Sequence, residues 1–244
     1  MKAAPAIFFV WLFMFLFLIS THILYGVLLT LQLSYKISRG LFKILFMTYD
    51  RQKYLEALKV QLEPNIYYHS LALEACMGGI YDYLHSQGQI DPSEPSRDDW
   101  LLAGLIHDID YSGEYKDFHP NKTVEVLHKH GLEIPDVVLG MVKAHAPDLT
   151  GVTLKTKADW AIFCADSLTG LIVAVALVYP SKKLADVKLS SVVKRFLKEP
   201  KFAAGTRRSE VAMCSNGEGL NIPLEKFIEI CLLAMQKIAG DMGL

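Results

Sequence analysis

A histidine and an aspartate stand side by side where an apolar run ends. The run LLAGLIHDIDY covers residues 101–111, and the His107-Asp108 pair is followed by Asp110. Adjacent residues on a helix point about 100° apart, so both side chains reach one ion only where the helix ends. A divalent metal binds neutral imidazole and carboxylate together and offsets the cost of burying them. Taken alone, the pair is more typical of a helix end that faces water.

Three other histidines fall at informative places in the predicted helices. His69 lies on the apolar stripe of a helix predicted from Ile66, at the i, i+3, i+4 spacing of a buried face. His119, followed by a proline, is predicted to begin a helix, and His145 to end one just before another proline. The sequence therefore predicts that His69 faces inward and that the other two stand at helix ends.

One remote aspartate lies inside a strongly apolar segment. Residues 160–179 read WAIFCADSLTGLIVAVALVY, in which Asp166 is the single charged residue. The segment is long enough to raise the alternative of a membrane span, but a central Asp costs about 2.5 to 3.5 kcal/mol on insertion scales. A helix that is hydrophobic all round also occupies the centre of a soluble bundle, which is the interpretation we prefer. A carboxylate buried there must be paired or bound to metal.

The N-terminus carries the second long apolar run. No charged residue occurs from Ala3 to Leu33, and roughly 20 apolar residues span a bilayer. A cleaved signal peptide is the alternative, but the run is too long and lacks a convincing cleavage site. We predict a retained anchor over residues 1–36. Lys36, Arg39 and Lys43 follow the run, which places the rest of the chain in the cytoplasm as a single-pass membrane protein.

Composition and net charge indicate which partners and which redox compartment to expect. The chain has 244 residues, 52% of them hydrophobic, and a formal net charge of -1. This charge does not suggest a nucleic-acid polymer as partner. The four cysteines are scattered without C-x-x-C spacing, which predicts reduced core residues in a domain facing the cytosol.

No segment has a persuasive strand pattern, so the predicted fold class is all-α. An amphipathic linker helix is predicted over residues 37–63, and the main domain over residues 64–244. Lys182 and Lys183 belong to a basic cluster that follows the Asp166 helix. The cluster is interpreted either as a solvated face or as a phosphate-binding rim, in which these two lysines would contact a substrate phosphate.

The order of the residues, a histidine, then the His-Asp pair, then an aspartate, resembles the HD superfamily of metal-dependent phosphohydrolases. Residues 163–196 are similar to one HDIG-type branch, and the resemblance covers about residues 68–236. It implies an HD-domain helical bundle, here preceded by one transmembrane helix. It also implies that His69, His107, Asp108 and Asp166 bind one divalent metal in a cleft.

The resemblance further implies roles for the remaining histidines. His119 and His145 match the two extra histidines of members with two metals, in which Asp108 would bridge the ions. With one metal, they would instead contact substrate phosphate. The sequence departs from HDIG by placing Asp110 where the family has its glycine, and Asp110 is assigned to orient or deprotonate the attacking water.

The chemistry of the residues supports phosphoester hydrolysis. Metal ions lower the pKa of bound water and neutralise phosphoryl oxygens. Imidazoles with carboxylates favour Mn, Fe, Co, Ni or Zn over Mg. We therefore expect a membrane-anchored phosphohydrolase that cleaves a nucleotide or another small phosphoester, with His107, Asp108 and Asp110 as its catalytic residues. The alternatives are an HD-fold di-iron oxidase and a non-catalytic nucleotide-sensing module.

Overall fold

The structure is a computed structural model that describes residues 49–244. The predicted anchor, residues 1–36, and the linker up to residue 48 lie outside the described residues. Residues 49–244 form one compact unit. Helices and turns make up this unit and it contains no β-strand, so the all-α prediction is confirmed for the described part of the chain.

Ten α-helices, joined by three short 3₁₀ segments, build the described unit. The 3₁₀ segments are Gly113–Phe118, Leu184–Asp186 and Met213–Ser215. The α-helices are α1 (Arg51–Gln61), α2 (Pro64–Ser86), α3 (Arg97–Ile106), α4 (Thr123–Lys129), α5 (Asp136–Ala144), α6 (Pro147–Thr150), α7 (Lys157–Val178), α8 (Leu189–Lys198), α9 (Arg208–Ala212) and α10 (Leu224–Lys237).

The long apolar helix α7 lies in the core, as predicted. It packs against α2, α5, α8 and α9. By length and composition it is the one described helix that passes as a membrane span, yet 67% of its most apolar window is buried inside the domain. Its first turn is fixed by a capping box between Thr156 and Asp159. In addition, the Glu94 carboxylate accepts hydrogen bonds from the backbone N–H groups of Lys157 and Ala158, so both orphan donors have partners.

Helices α2 and α3 approach closely enough for their backbones to touch. A Cβ added at Gly104 would lie 2.9 Å from the carbonyl oxygen of Leu73 and 3.0 Å from the Cα of Glu74. Glycine is therefore required at this crossing. The close approach brings the C-terminal end of α3, which carries His107, beside the buried face of α2, which carries His69.

Helix α1 is part of the core rather than a separate linker. Tyr54 and Leu58 are buried against the rest of the unit. The Arg51 guanidinium also makes two hydrogen bonds, of 2.6 and 2.7 Å, to the buried carboxylate of Glu74 on α2. The compact unit therefore begins at Tyr49, whereas the sequence suggested a boundary at residue 64.

The cysteines behave as the sequence predicts for a core. Cys76, Cys164, Cys214 and Cys231 are free thiols and all are buried. Burial raises the pKa of Cys214 to about 12, so the thiol stays protonated near neutral pH. These side chains act as small apolar groups in the packing.

Candidate metal centre

Six side chains cluster at one cleft of about 570 Å³, which five of them line while the sixth, His107, lies buried behind them. All six were predicted metal ligands. They are His69, His107, Asp108, His119, His145 and Asp166.

Helix ends position two of the histidines, as expected. His107 is the C-terminal cap of α3 and His145 is the C-terminal cap of α5. Each Nε2 atom lies close to an Nε2 atom of a histidine from another segment, His69 for His107 and His119 for His145. Asp108 follows in the turn after α3, where its direction is no longer tied to that of His107.

His119 reaches the cleft from a different element than predicted. It follows the 3₁₀ segment Gly113–Phe118, and the next helix, α4, begins at Thr123. The prediction that His119-Pro120 begins a helix was therefore wrong by a turn. Pro120 and the two residues after it form the turn that leads into α4.

Backbone carbonyls fix the ring nitrogens of the two capping histidines. His107 Nδ1–H donates to the Gly104 carbonyl at 2.9 Å. His145 Nδ1–H donates to the Val142 carbonyl. A carbonyl oxygen only accepts, so each Nδ1 must carry the proton and each neutral ring has its lone pair on Nε2.

Side-chain oxygens fix the position of the ring proton in the other two histidines, His69 and His119. The Asp110 carboxylate accepts from His119 Nδ1–H at 2.6 Å. The Thr169 hydroxyl donates to the Asp166 carbonyl at 2.8 Å, so its oxygen accepts from His69 Nδ1–H at 2.9 Å. All four imidazoles are therefore held with Nδ1 protonated and Nε2 free to bind an ion. This arrangement is typical of metal-ligating histidines.

The four Nε2 atoms come together in two pairs. The Nε2 atoms of His69 and His107 are 3.1 Å apart, and those of His119 and His145 are 3.0 Å apart. Two imidazole lone pairs at this separation repel each other unless a proton or a cation lies between them. Two atoms bound to one ion at about 2.0–2.1 Å lie about 3 Å apart, which matches both pairs.

The Asp108 carboxylate lies between the pairs and faces one with each oxygen. Oδ2 is 3.3 Å from His107 Nε2 and 3.6 Å from His69 Nε2. Oδ1 is 3.3 Å from His119 Nε2 and 3.8 Å from His145 Nε2. Each pair thus forms, with one Asp108 oxygen, a group of three donor atoms within 4.8 Å of one another. This is the placement that a carboxylate bridging two ions requires.

Asp166 adds a carboxylate oxygen to the first pair. Its Oδ1 is 2.9 Å from His69 Nε2 and 3.7 Å from His107 Nε2. Its Oδ2 accepts a hydrogen bond of 2.7 Å from Arg207 Nη2. One oxygen therefore faces the imidazoles while the other is held by a guanidinium.

The electrostatics keep both carboxylates and the His145 imidazole in the forms that bind a cation. Burial alone would raise the pKa of Asp108, but the imidazoles of His107, His69 and His145 outweigh it and hold that pKa well below its usual range. The pKa of Asp166 is lowered in the same way, with His69 as the main opposing partner of burial. Burial, together with the His107 imidazole, lowers the pKa of His145 from 6.5 to about 4. At neutral pH these carboxylates are ionised and His145 is neutral, as metal binding requires.

Buried acidic and imidazole groups within metal-binding distance are therefore present in this cleft. The donor set fits one or two divalent ions, because every Nε2 and three of the four oxygens of Asp108 and Asp166 face another donor. The fourth oxygen is the one bonded to Arg207.

Asp110 does not take the position expected of a residue that contacts an attacking water. Its side chain is fully buried. One carboxylate oxygen accepts from His119 Nδ1–H and the other accepts from the Lys122 backbone N–H at 2.8 Å. Both oxygens are thus turned away from the cleft, and the geometry corrects the assignment: Asp110 orients His119.

Lys182 and Lys183 are not brought to the cleft. Helix α7 ends at Val178, twelve residues beyond Asp166, which is about 18 Å along the helix axis at 1.5 Å per residue. Both lysines follow that end, are exposed and do not line the cleft. They therefore lie beyond the far end of α7 and outside the lining of the cleft that contains Asp166.

Two residues at the site were missed by sequence reasoning. Arg207 lines the cleft beside Asp166, and the fully buried Thr169 holds His69. Arg207 is 41 positions from its partner, so no local pattern connects them. Thr169 did have a signal, because a hydroxyl three residues after Asp166 on an apolar helix lies on nearly the same face.

Comparisons with protein-family models, with curated proteins and with solved structures find no match to this chain.

Proposed function

We propose that the chain is a metal-dependent phosphohydrolase of the HD type, acting on a small phosphoester by means of a metal-activated water. One observation carries the proposal. Four imidazoles, each with its Nδ1 proton held by an acceptor, present their Nε2 atoms in two pairs to the two oxygens of one carboxylate, Asp108.

We assign the ligand residues to two ions by the distances between their donor atoms. His69, His107, one oxygen of Asp108 and one oxygen of Asp166 would hold the first ion. His119, His145 and the other oxygen of Asp108 would hold the second. Bound there, divalent ions supply a water of lowered pKa and neutralise phosphoryl oxygens. The four imidazoles favour Mn, Fe, Co, Ni or Zn over Mg.

Arg207 is the residue best placed to bind the phosphate. Its Nε donates to Glu210 at 2.6 Å and its Nη2 donates to Asp166 at 2.7 Å. A guanidinium has five N–H groups, so donors remain available on this side chain, which lines the cleft. The Arg207 backbone N–H also donates to the Ser167 hydroxyl at 3.1 Å. The chain therefore holds Arg207 by both its backbone and its side chain, which suits orientation of a phosphoryl oxygen.

The proposed location is the cytosolic face of a membrane. Its support is the uncharged segment from Ala3 to Leu33 and the basic residues that follow it.

Metal analysis of the purified full chain, followed by a phosphate-release screen with each of Mn²⁺, Fe²⁺, Co²⁺, Ni²⁺ and Zn²⁺, tests the proposal. The expected result is bound divalent metal and phosphate release from at least one class of phosphoester. Oxygen-dependent turnover with an iron-specific EPR signal and no phosphate release would instead identify an oxidase. Tight nucleotide binding without turnover with any of these metals would identify a sensing module.

A further inference from the structure

A second cavity, of about 260 Å³, adjoins the cleft of the metal centre. It lies between α2, α7 and the last residues of the chain, and it shares His69 and Gly170 with the cleft. We call it the apolar recess. Carbon surface dominates its wall, which includes Tyr68, Val173, Met242 and Leu244.

The buried hydroxyl of Thr169 in the wall of the apolar recess already has hydrogen-bond partners. The Thr169 hydroxyl donates to the Asp166 carbonyl and accepts from His69 Nδ1–H. Asn65 and Tyr68, the other lining residues with polar side-chain groups besides His69, are exposed to water. A polar group placed deep in the recess would lose its hydrogen bonds to water without replacement, at a cost of about 1–3 kcal/mol. The recess therefore selects an apolar occupant.

The charges of the cleft indicate how many phosphates the occupant carries. Among the described residues that line the cleft, Arg207 is the single lysine or arginine. Nucleoside triphosphates and other polyphosphates carry several charges that need several cationic partners. One phosphate would engage the proposed ions and Arg207, and no other lysine or arginine is present among the described lining residues to bind a second or third phosphate, so the cleft is matched to one phosphate.

We infer that the substrate is a monophosphate ester whose ester group is apolar, alkyl or aryl, and that this group occupies the apolar recess. The inference rests on the proposed function for its phosphate end. Gly170 connects the two parts, because it lines both cavities and a Cβ placed there meets nothing within 4 Å, so an ester group can extend across it from the cleft to the recess.

Gly170 provides a variant that fills the mouth of the recess. It is exposed in the middle of α7, and a Cβ added there meets no atom within 4 Å. A leucine there is also a better helix former than glycine, so the fold is retained. Gly140 on α5 is the matched control, because it is also exposed and helical with open space at its Cβ, and it does not line the recess.

The test compares methylphosphonate with hexylphosphonate, which are not hydrolysed, by calorimetry on the Mn²⁺-loaded full chain in lipid nanodiscs. Each buried methylene is worth about 0.8 kcal/mol, or about fourfold in affinity. Five methylenes buried to about half that value give about thirtyfold tighter binding of the hexyl compound. Equal affinities would overturn the inference.

Gly170→Leu should reduce the hexyl preference by at least tenfold, and Gly140→Leu should leave it unchanged. Val173→Asp, which places a charge in the recess wall instead of filling it, should reduce the preference as well. A preference that survives both Gly170→Leu and Val173→Asp counts against the recess as its source.

Hydrolysis assays distinguish a failure of the apolar recess as a substrate site from a failure of the proposed phosphohydrolase function. If esters are hydrolysed with no dependence on chain length, the proposed function stands and the apolar recess is not a substrate site. If hexylphosphonate is preferred but no ester is hydrolysed, the recess stands as a binding site and the proposed function fails.

Discussion

Asp110→Asn decides whether Asp110 contacts the reacting water or orients a ligand. The wild-type carboxylate accepts two hydrogen bonds, from His119 Nδ1–H and from the Lys122 backbone N–H. An asparagine has one carbonyl oxygen, so one of these donors would face an amide NH₂ and lose its acceptor. A buried donor left unpaired costs about 1–3 kcal/mol.

The cost should appear as weaker metal binding. Changing the partner that orients a metal-ligating histidine typically costs 10–100-fold in metal affinity or activity, which is about 1.4–2.7 kcal/mol. We expect Asp110→Asn to raise the dissociation constant of the ion held by His119 and His145 by about this factor. Activity at low metal should fall, and excess metal should restore most of it.

The assay is a metal titration of phosphate release, with Asp117→Asn as matched control. Asp117 is exposed in the 3₁₀ segment just before His119 and accepts no hydrogen bond from it. Removal of a general base typically costs about 10²–10⁴-fold in rate. A loss of that size in Asp110→Asn that persists at saturating metal, with metal affinity unchanged, would refute the orienting role.

Two further predictions rest on the same geometry, and a third rests on the uncharged N-terminal sequence. Arg207→Ala should raise KM for a phosphoester at least tenfold, whereas the double variant Lys182→Ala/Lys183→Ala should leave KM unchanged. Steady-state kinetics measures both values. A raised KM in the double variant with no change in Arg207→Ala would indicate that the lysines, and not Arg207, bind the phosphate. Gly104→Ala should lower the free energy of unfolding by about 1–3 kcal/mol, because its Cβ would press on the α2 backbone. Gly140→Ala, which has open space at its Cβ, should not lower the free energy of unfolding. Denaturant titration measures both free energies. Fractionation should leave the chain in the membrane after carbonate and high-salt washes, and release by either wash, or a mature N-terminus beyond residue 20, contradicts a retained anchor.

The sequence was most informative where a local pattern determined the geometry. The 3.6-residue period placed His69 on a buried stripe, and the ends of apolar runs placed His107 and His145 at helix caps. The charge of Asp166 inside an apolar helix was enough to require a partner. These features are local, so one sequence reveals them.

The predictions that were wrong or missed concern side-chain directions and contacts between residues far apart in the sequence. Asp110 is two residues from Asp108, but the turn after α3 points the two carboxylates to opposite sides of His119. Arg207 is too far from Asp166 in the chain for any pattern to join them. Lys182 and Lys183 follow Asp166 by 16 and 17 residues, yet twelve residues of helix α7 separate Asp166 from the helix end that they follow. Side-chain direction in turns and contacts between remote segments depend on the whole fold.

Metal counting on four proteins tests the central claim most directly. The wild-type full chain should bind about two divalent ions, and His145→Ala about one, because the donors of His69, His107, Asp108 and Asp166 remain. Asp108→Ala should bind none, since it removes the carboxylate that faces both histidine pairs. His128→Ala should bind two, because that side chain is exposed and pairs with Glu133 at 3.4 Å. One ion in the wild type with no change in His145→Ala, or full occupancy in Asp108→Ala, would contradict the account.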